Sequence, residues 1–192
     1  MKRIFSLLVL SLVIQVSFSQ TPLTYSEVVQ VDSITSKEEM FERARVWFAT
    51  SFKDSKEVLQ VSDKENGELI GRGVIPFISN VFVGSSATKG LISFDVRIYT
   101  KQGRYKYEIT LFTHEGSSGS SQGIQYPAIS FGIITTDSLC PKGKVSEDLY
   151  NYKWQNKLWL DLKEKIQTDI PSLVQSLKSS MVVVSPAKKD DW

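Results

Sequence analysis

The chain of 192 residues contains one cysteine and one histidine. A single thiol, Cys140, cannot close an intramolecular disulfide, so the fold has to be held by its core. In an oxidising compartment Cys140 is either buried, the favoured alternative, or open to an intermolecular bond. With His114 as the only histidine, the ligand sets rich in Cys and His that structural zinc sites use are missing. Any Ser-His-Asp arrangement would have only this one base. Long apolar runs are missing too: the longest, Ile4 to Val16, falls short of the roughly 18 residues that a membrane-spanning helix needs. Excess charge of one sign is nearly absent, with 23 Lys+Arg against 21 Asp+Glu.

What is present begins with MKRIFSLLVLSLVIQVSFSQ. Lys2 and Arg3 precede the apolar run, and the small residues Ser17 and Ser19 stand before Gln20. This pattern predicts a secretory signal peptide over residues 1–19 and a periplasmic or extracellular product. No cysteine stands directly after the cleavage point, which argues against a lipoprotein anchor. Lys2 and Arg3 are also the whole basic excess, so the remaining chain is neutral and lacks the bulk electrostatics of a nucleic-acid binder. About 170 residues remain, enough for one domain with a substantial core. The 41% hydrophobic and 11% aromatic content is that of a globular protein. The expected organisation is a single domain over 20–180 with a flexible loop near 114–145, then a disordered tail over 181–192.

TYSEVVQVD (24–32) predicts a strand. Ser36 and Glu39 have capping-box spacing, and Met40, Phe41, Ala44, Trp47, Phe48 and Phe52 recur on one helical face. EVLQVSD (57–63) and ELIGRGVIPF (68–77) flank a tight turn at Glu65-Asn66-Gly67. In GLISFDVRIYTKQGRYKYEITLFTH, a two-residue turn at Gln102-Gly103 sets Phe94 opposite Leu111, Val96 opposite Ile109 and Ile98 opposite Tyr107. Arg97 then meets Glu108 on the other face. AISFGII (128–134) is a further candidate strand. SEDLYNYKWQNKLWLDLKEKIQ predicts a helix capped by Ser146, and Thr168 or Asp169 before Pro171 predicts a second segment to about Ser180. The order β-α-β-β-β-β-α defines an α+β domain: an antiparallel sheet of about five strands with two helices packed on one face.

The stretches YSEVVQVDSITSKEEMFERARVWFATSF, EVLQVSDKENGELIGRGVIPF and GRYKYEITLFTHEG resemble a family of secreted envelope proteins. That family is described only as a domain of unknown function with a TATA-binding-protein-like fold. The resemblance covers residues 24–115 and, loosely, the last helix. It implies a TBP-like or helix-grip-like arrangement. It brings no functional residues, and the "TATA" of its description concerns shape.

HEGSSGSSQG (114–123) formally contains the nucleophile elbow G-x-S-x-G at Ser121. An elbow needs a helix after the serine, whereas IQYPAISF follows, and in that fold class the histidine comes after the serine. Gly116 to Gly123 is therefore expected to be a flexible spacer. His114 lacks ligand spacing to Glu115, Asp137 or Cys140 and is expected to face solvent at a strand end. Gly71-Arg72-Gly73 lacks the lysine of a phosphate loop and suits a bulge or bend. Glu38-Glu39 and Asp190-Asp191 suit a helix start and a tail rather than acid/base chemistry. No catalytic residue, metal site or cofactor is assigned.

On the last helix, Tyr150, Trp154 and Leu158 form one stripe and Tyr152, Trp159, Leu162 and Ile166 another. One stripe suffices to cover a sheet. The stripe of Tyr150, Trp154 and Leu158 is the candidate ligand or partner site, because aromatic side chains are favoured at binding hot spots. The chain is best read as an exported, non-catalytic module that binds or assembles with an unknown protein. A carrier of a small apolar ligand held between sheet and helix is the alternative, and a serine hydrolase is the third and weakest choice.

Overall fold

The computed structural model describes residues 21–52, 58–81, 89–126, 128–145 and 151–182. The expected signal peptide lies outside these residues, as does most of the expected tail. Three long strands carry the sheet: β3 (Glu68–Ile78), β4 (Lys89–Lys101) and β5 (Arg104–Gly116). Each alternates buried and exposed side chains, which is the period of a half-buried strand. The Gln102-Gly103 turn joins β4 to β5, with Gly103 at a φ of 68° that glycine adopts without steric cost. β1 (Tyr25–Gln30) pairs with the first half of β5, and β2 (Leu59–Asp63) pairs with the start of β3. The resulting order is β1-β5-β4-β3-β2, antiparallel throughout.

Near the turn the expected register stands: Ile98 meets Tyr107, Val96 meets Ile109 and Arg97 meets Glu108. Beyond it the register shifts. Asp95 pairs with Thr110 and Ser93 with Thr113, so Phe94 faces two residues, Leu111 and Phe112. Leu111 takes a φ of 56° at this bulge, a left-handed backbone rare for such a side chain. Phe112 then turns inward against Phe94, with ring centroids 5.5 Å apart, and Leu111 is only half-buried. The expected Phe94–Leu111 pair is thus replaced by Phe94–Phe112, because the larger apolar ring gains more from burial.

α1 (Lys37–Ser51) begins as expected: the Ser36 hydroxyl accepts from the Glu39 amide at 3.1 Å. The carboxylate of Glu39 does not complete a capping box. It holds the buried guanidinium of Arg43 at 2.5 Å, and Arg43 donates in turn to the Met181 carbonyl at 2.6 Å. A cation therefore sits at the carboxyl end of the second helix, where backbone carbonyls lack helical partners.

That helix, α2 (Tyr152–Val182), is continuous, and the expected break before Pro171 is absent. An interior proline costs about 3 kcal/mol. Ile166 and Ile170 before it, and Leu177 and Met181 after it, are fully buried on one face. At about 1.5–3 kcal/mol per buried aliphatic side chain, this packing outweighs the proline. At the first described turn, the Asn151 side chain accepts from the Trp154 amide at 3.0 Å; the expected Ser146 cap lies outside the described residues.

Both helices cover the same sheet face. Met40, Phe41, Ala44, Trp47 and Phe48 of α1 join Leu158, Trp159, Leu162 and Ile166 of α2 in one core with the inward residues of β3, β4 and β5. The expected bulge falls at Gly71, where β2 pairs Leu59 with Gly71 but Val61 with Ile70, and packing gives both glycines a further reason. A Cβ on Gly71 would come within 2.6 Å of the Phe48 ring, and one on Gly73 within 2.4 Å of Phe94. Phe112→Ala should cost about 3–5 kcal/mol by chemical denaturation, while Leu111→Gly should cost under about 1 kcal/mol because glycine relieves the positive φ. The reverse ranking would mean an unbulged strand with Leu111 inside.

Candidate functional site

The second half of β5 and the segment after it take an unexpected course. Gly119–Ser121 (β6) pairs with Ile124–Tyr126 (β7) across Gln122-Gly123, both at positive φ. The Gly/Ser stretch is thus a two-residue hairpin of the kind that needs positive φ at both turn positions. Ser121 lies in β6 and the chain continues into β7, so no helix follows it as an elbow requires. Gly132–Ile133 (β8) then pairs with Thr113 and His114 of β5, a much shorter strand than expected over 128–134.

Residues 129–145 close the core instead of leaving it. Ile129, Phe131, Ile134, Cys140 and Val145 are all buried. Side chains spaced along the first turns of α2 bind the backbone of this segment. The Tyr152 hydroxyl donates to the Cys140 carbonyl at 2.8 Å, and Asn156 accepts from the Cys140 amide at 2.8 Å. Trp159 Nε1 and Lys163 Nζ both donate to the Asp137 carbonyl, at 3.0 and 2.9 Å. The stripe that includes Tyr152 and Trp159 therefore has its own work. Burial pushes the Cys140 thiol up to about 11, so it is held protonated.

His114 is fully buried and does not face solvent; the bulge at Leu111 reverses which side of β5 it occupies. Its Nδ1 accepts from the Phe131 amide at 3.3 Å, which leaves the proton on Nε2, and Nε2 has no hydrogen-bond partner among the described residues. The ring stands between Phe77 and Phe131, at centroid distances of 5.4 and 5.8 Å. This apolar enclosure pushes its pKa down to about 4. Among the described residues, no group of three or more His, Cys, Asp or Glu side chains could hold a metal.

Of the predicted site stripe, Leu158 has no exposed surface and belongs to the core, and Trp154 is half-buried beside it. Tyr150 lies outside the described residues.

The surface that sequence reasoning passed over is the far face of the sheet. Val74 and Pro76 of β3 stand beside Ser93 and Leu91 of β4, with Ile78 one step further. Val74, Ile78 and Leu91 are 53%, 71% and 49% exposed. In the middle, Arg97 lies 3.4 Å from Asp95 and 3.7 Å from Glu108, and Lys106 lies 3.3 Å from Glu108. At the hairpin tip, Val28, Tyr99, Lys101, Arg104 and Lys106 line a cavity of about 480 Å³. The signal was the alternation itself, which leaves Leu91 and Tyr99 on the wet face.

Among the described residues, a six-stranded antiparallel sheet carries two helices on one face, an α+β arrangement of the TBP-like class. A crystal structure of a TBP-like protein from Parabacteroides distasonis ATCC 8503 is similar over 82% of this chain and 93% of that one, at 14% identity and a TM-score of 0.51. One of a DUF4468 family protein from Bacteroides ovatus ATCC 8483 is similar over 88% and 90%, at 11% identity and a TM-score of 0.53. At such identities the likeness concerns the fold alone. Residues 25–115 match the family described as "Domain of unknown function (DUF4468) with TBP-like fold". No curated protein matches the chain. Among the described residues, no helix is long and apolar enough to cross a membrane.

The buried histidine predicts acid sensitivity. Unfolded, His114 takes up its proton near 6.5; folded, only near 4. The stability it confers is complete above about 6.5 and is lost as pH falls from there towards 4, about 3 kcal/mol in all at roughly 1.4 kcal/mol per pH unit. His114→Asn keeps an acceptor for the Phe131 amide and removes the titration. Denaturant midpoints measured from pH 7 to 4 should fall for the wild type and stay flatter for the variant over that window. Parallel curves would exclude a buried neutral imidazole.

Proposed function

We propose that the protein is an exported, non-catalytic envelope domain that works by binding or assembly, and that it does so through the far face of its sheet. Export is supported by the leader pattern of residues 1–19. The observation that carries the binding role is the cluster of Val74, Pro76, Ile78 and Leu91, adjacent across β3 and β4 and exposed on the face opposite the helices. Single exposed apolar residues are ordinary, but a contiguous group on a sheet face marks a contact surface. The ion pairs beside it supply the polar rim that interfaces carry. The partner class is a protein surface of matching apolar character, either another envelope protein or a second copy.

A second possibility, carriage of a small apolar ligand between sheet and α2, is favoured by a cavity that shares Val74 with the apolar cluster. Phe52, Val74, Ile75, Phe94, Ile170 and Leu173 help to line a space of about 550 Å³ there, within the range of ligand pockets. In this case the half-buried Trp154 ring of the candidate stripe would serve packing beside the core rather than contact the ligand.

Native mass spectrometry of the protein purified from its envelope without detergent tests both. The expected result is a species heavier by a protein partner or a second copy, which Ile78→Asp combined with Leu91→Asp abolishes. A small adduct that survives those changes and is lost in Leu173→Trp would favour the carrier. A bare chain throughout would contradict both. Binding lost on Trp154→Ala at unchanged stability would instead restore the helix stripe as the contact.

A further inference from the structure

We propose that the cavity at the tip of the β4–β5 hairpin binds an amphipathic anion, a carboxylate or phosphate carried on an apolar or ring-shaped body. The inference rests on the far sheet face being the binding surface, but it concerns the end of that face away from Val74 and Leu91.

Three adjacent strands bring Tyr99, Lys106 and Val28 into one cross-strand row, and the next row sets Lys101 directly opposite Arg104. Like charges opposed across a strand pair repel and contribute nothing to the fold. Among the described residues, neither Lys101 nor Arg104 has an ion-pair partner, and no carboxylate lines the cavity. Lys106 is shared with Glu108 at 3.3 Å. The two free cations are therefore available to one bridging anion. The Arg104 guanidinium suits it well, since its planar fork matches two oxygens of a carboxylate or phosphate.

The rest of the lining sets the ligand's other half. The Tyr99 ring and the Val28 side chain, 54% exposed, form an apolar wall beside the cations. About 480 Å³ accommodates a small molecule or a headgroup with the start of its chain. An extended polyanion is disfavoured because the chain without its leader is neutral and offers no continuous basic track.

The probe is dodecyl phosphate below its micelle concentration, titrated calorimetrically into the intact mature chain at low salt. Lys101 and Arg104 are exposed, so Lys101→Ala combined with Arg104→Ala should leave the melting curve unchanged. Binding at one site per chain is expected. It should weaken at least about tenfold in the double variant as the charge-assisted bonds are lost, and it should weaken as salt screens the pair. Dodecyl maltoside, with a neutral headgroup, should bind no better than the double variant binds dodecyl phosphate. No binding to the wild type, equal binding by the double variant, or equal binding of the maltoside would overturn the proposal. Vesicles of phosphatidylglycerol against phosphatidylcholine separate the sources of the anion. Cosedimentation with the former alone, lost in the double variant, places it in a bilayer; binding of the soluble probe alone makes it a free amphiphile. Neither result bears on the Val74 and Leu91 contact.

Discussion

At Phe94 one residue of β4 faces two of β5, and Leu111 takes a φ of 56° to make room. Strand side chains alternate with a period of two, so one extra residue exchanges the two faces for everything that follows. Before the bulge, Tyr105, Tyr107 and Ile109 face the helices; after it, Phe112 and His114 do. An uninterrupted strand would send Thr113 and Glu115 into the core and leave Phe112 and the imidazole in water. The strained backbone at a single leucine is offset by the burial of two rings.

His114 then becomes a nucleus for the segment after β5. Phe77, His114, Phe131 and Trp159 follow one another in contact across the sheet, the segment and α2. The first turns of α2 bind the carbonyls and amide of residues 137–140, which satisfies backbone groups that would otherwise be buried without partners. With one face of the sheet closed in this way, the opposite face is left to solvent. Its central ion pairs are partly exposed and contribute little to stability, under about 1 kcal/mol each. Their effect is to separate an apolar end from a basic one.

The parts of this arrangement that depend on neighbouring residues were legible in the sequence. Ser36 caps α1, Gly103 makes its turn, and Arg97 meets Glu108, because each follows from spacing along one or two adjacent elements. The bulge was not legible, since a regular register also offered an apolar partner for Phe94 in Leu111. Pro171 pointed to a break, and only the packing of Ile166, Ile170, Leu177 and Met181 shows why the helix continues. The Gly/Ser run concealed a hairpin whose turn is Gln122-Gly123 rather than a familiar Asn-Gly pair. The candidate surfaces were the least legible of all. Aromatic spacing on α2 drew attention to Trp154 and Leu158, yet Leu158 lies in the core. The basic cavity is assembled from β1, β4 and β5, which no local pattern connects.

Because His114 is the chain's only histidine, its ring signals can be assigned without ambiguity. Nitrogen-15 NMR of the imidazole between pH 8 and 4 tests the bulge and the closure of the core together. A single neutral form with its proton on Nε2, persisting until about pH 4, is the expected result. Titration near the ordinary value of 6.5, with exchange between the two neutral tautomers, would place the ring in water and contradict the register on which the rest of the fold depends.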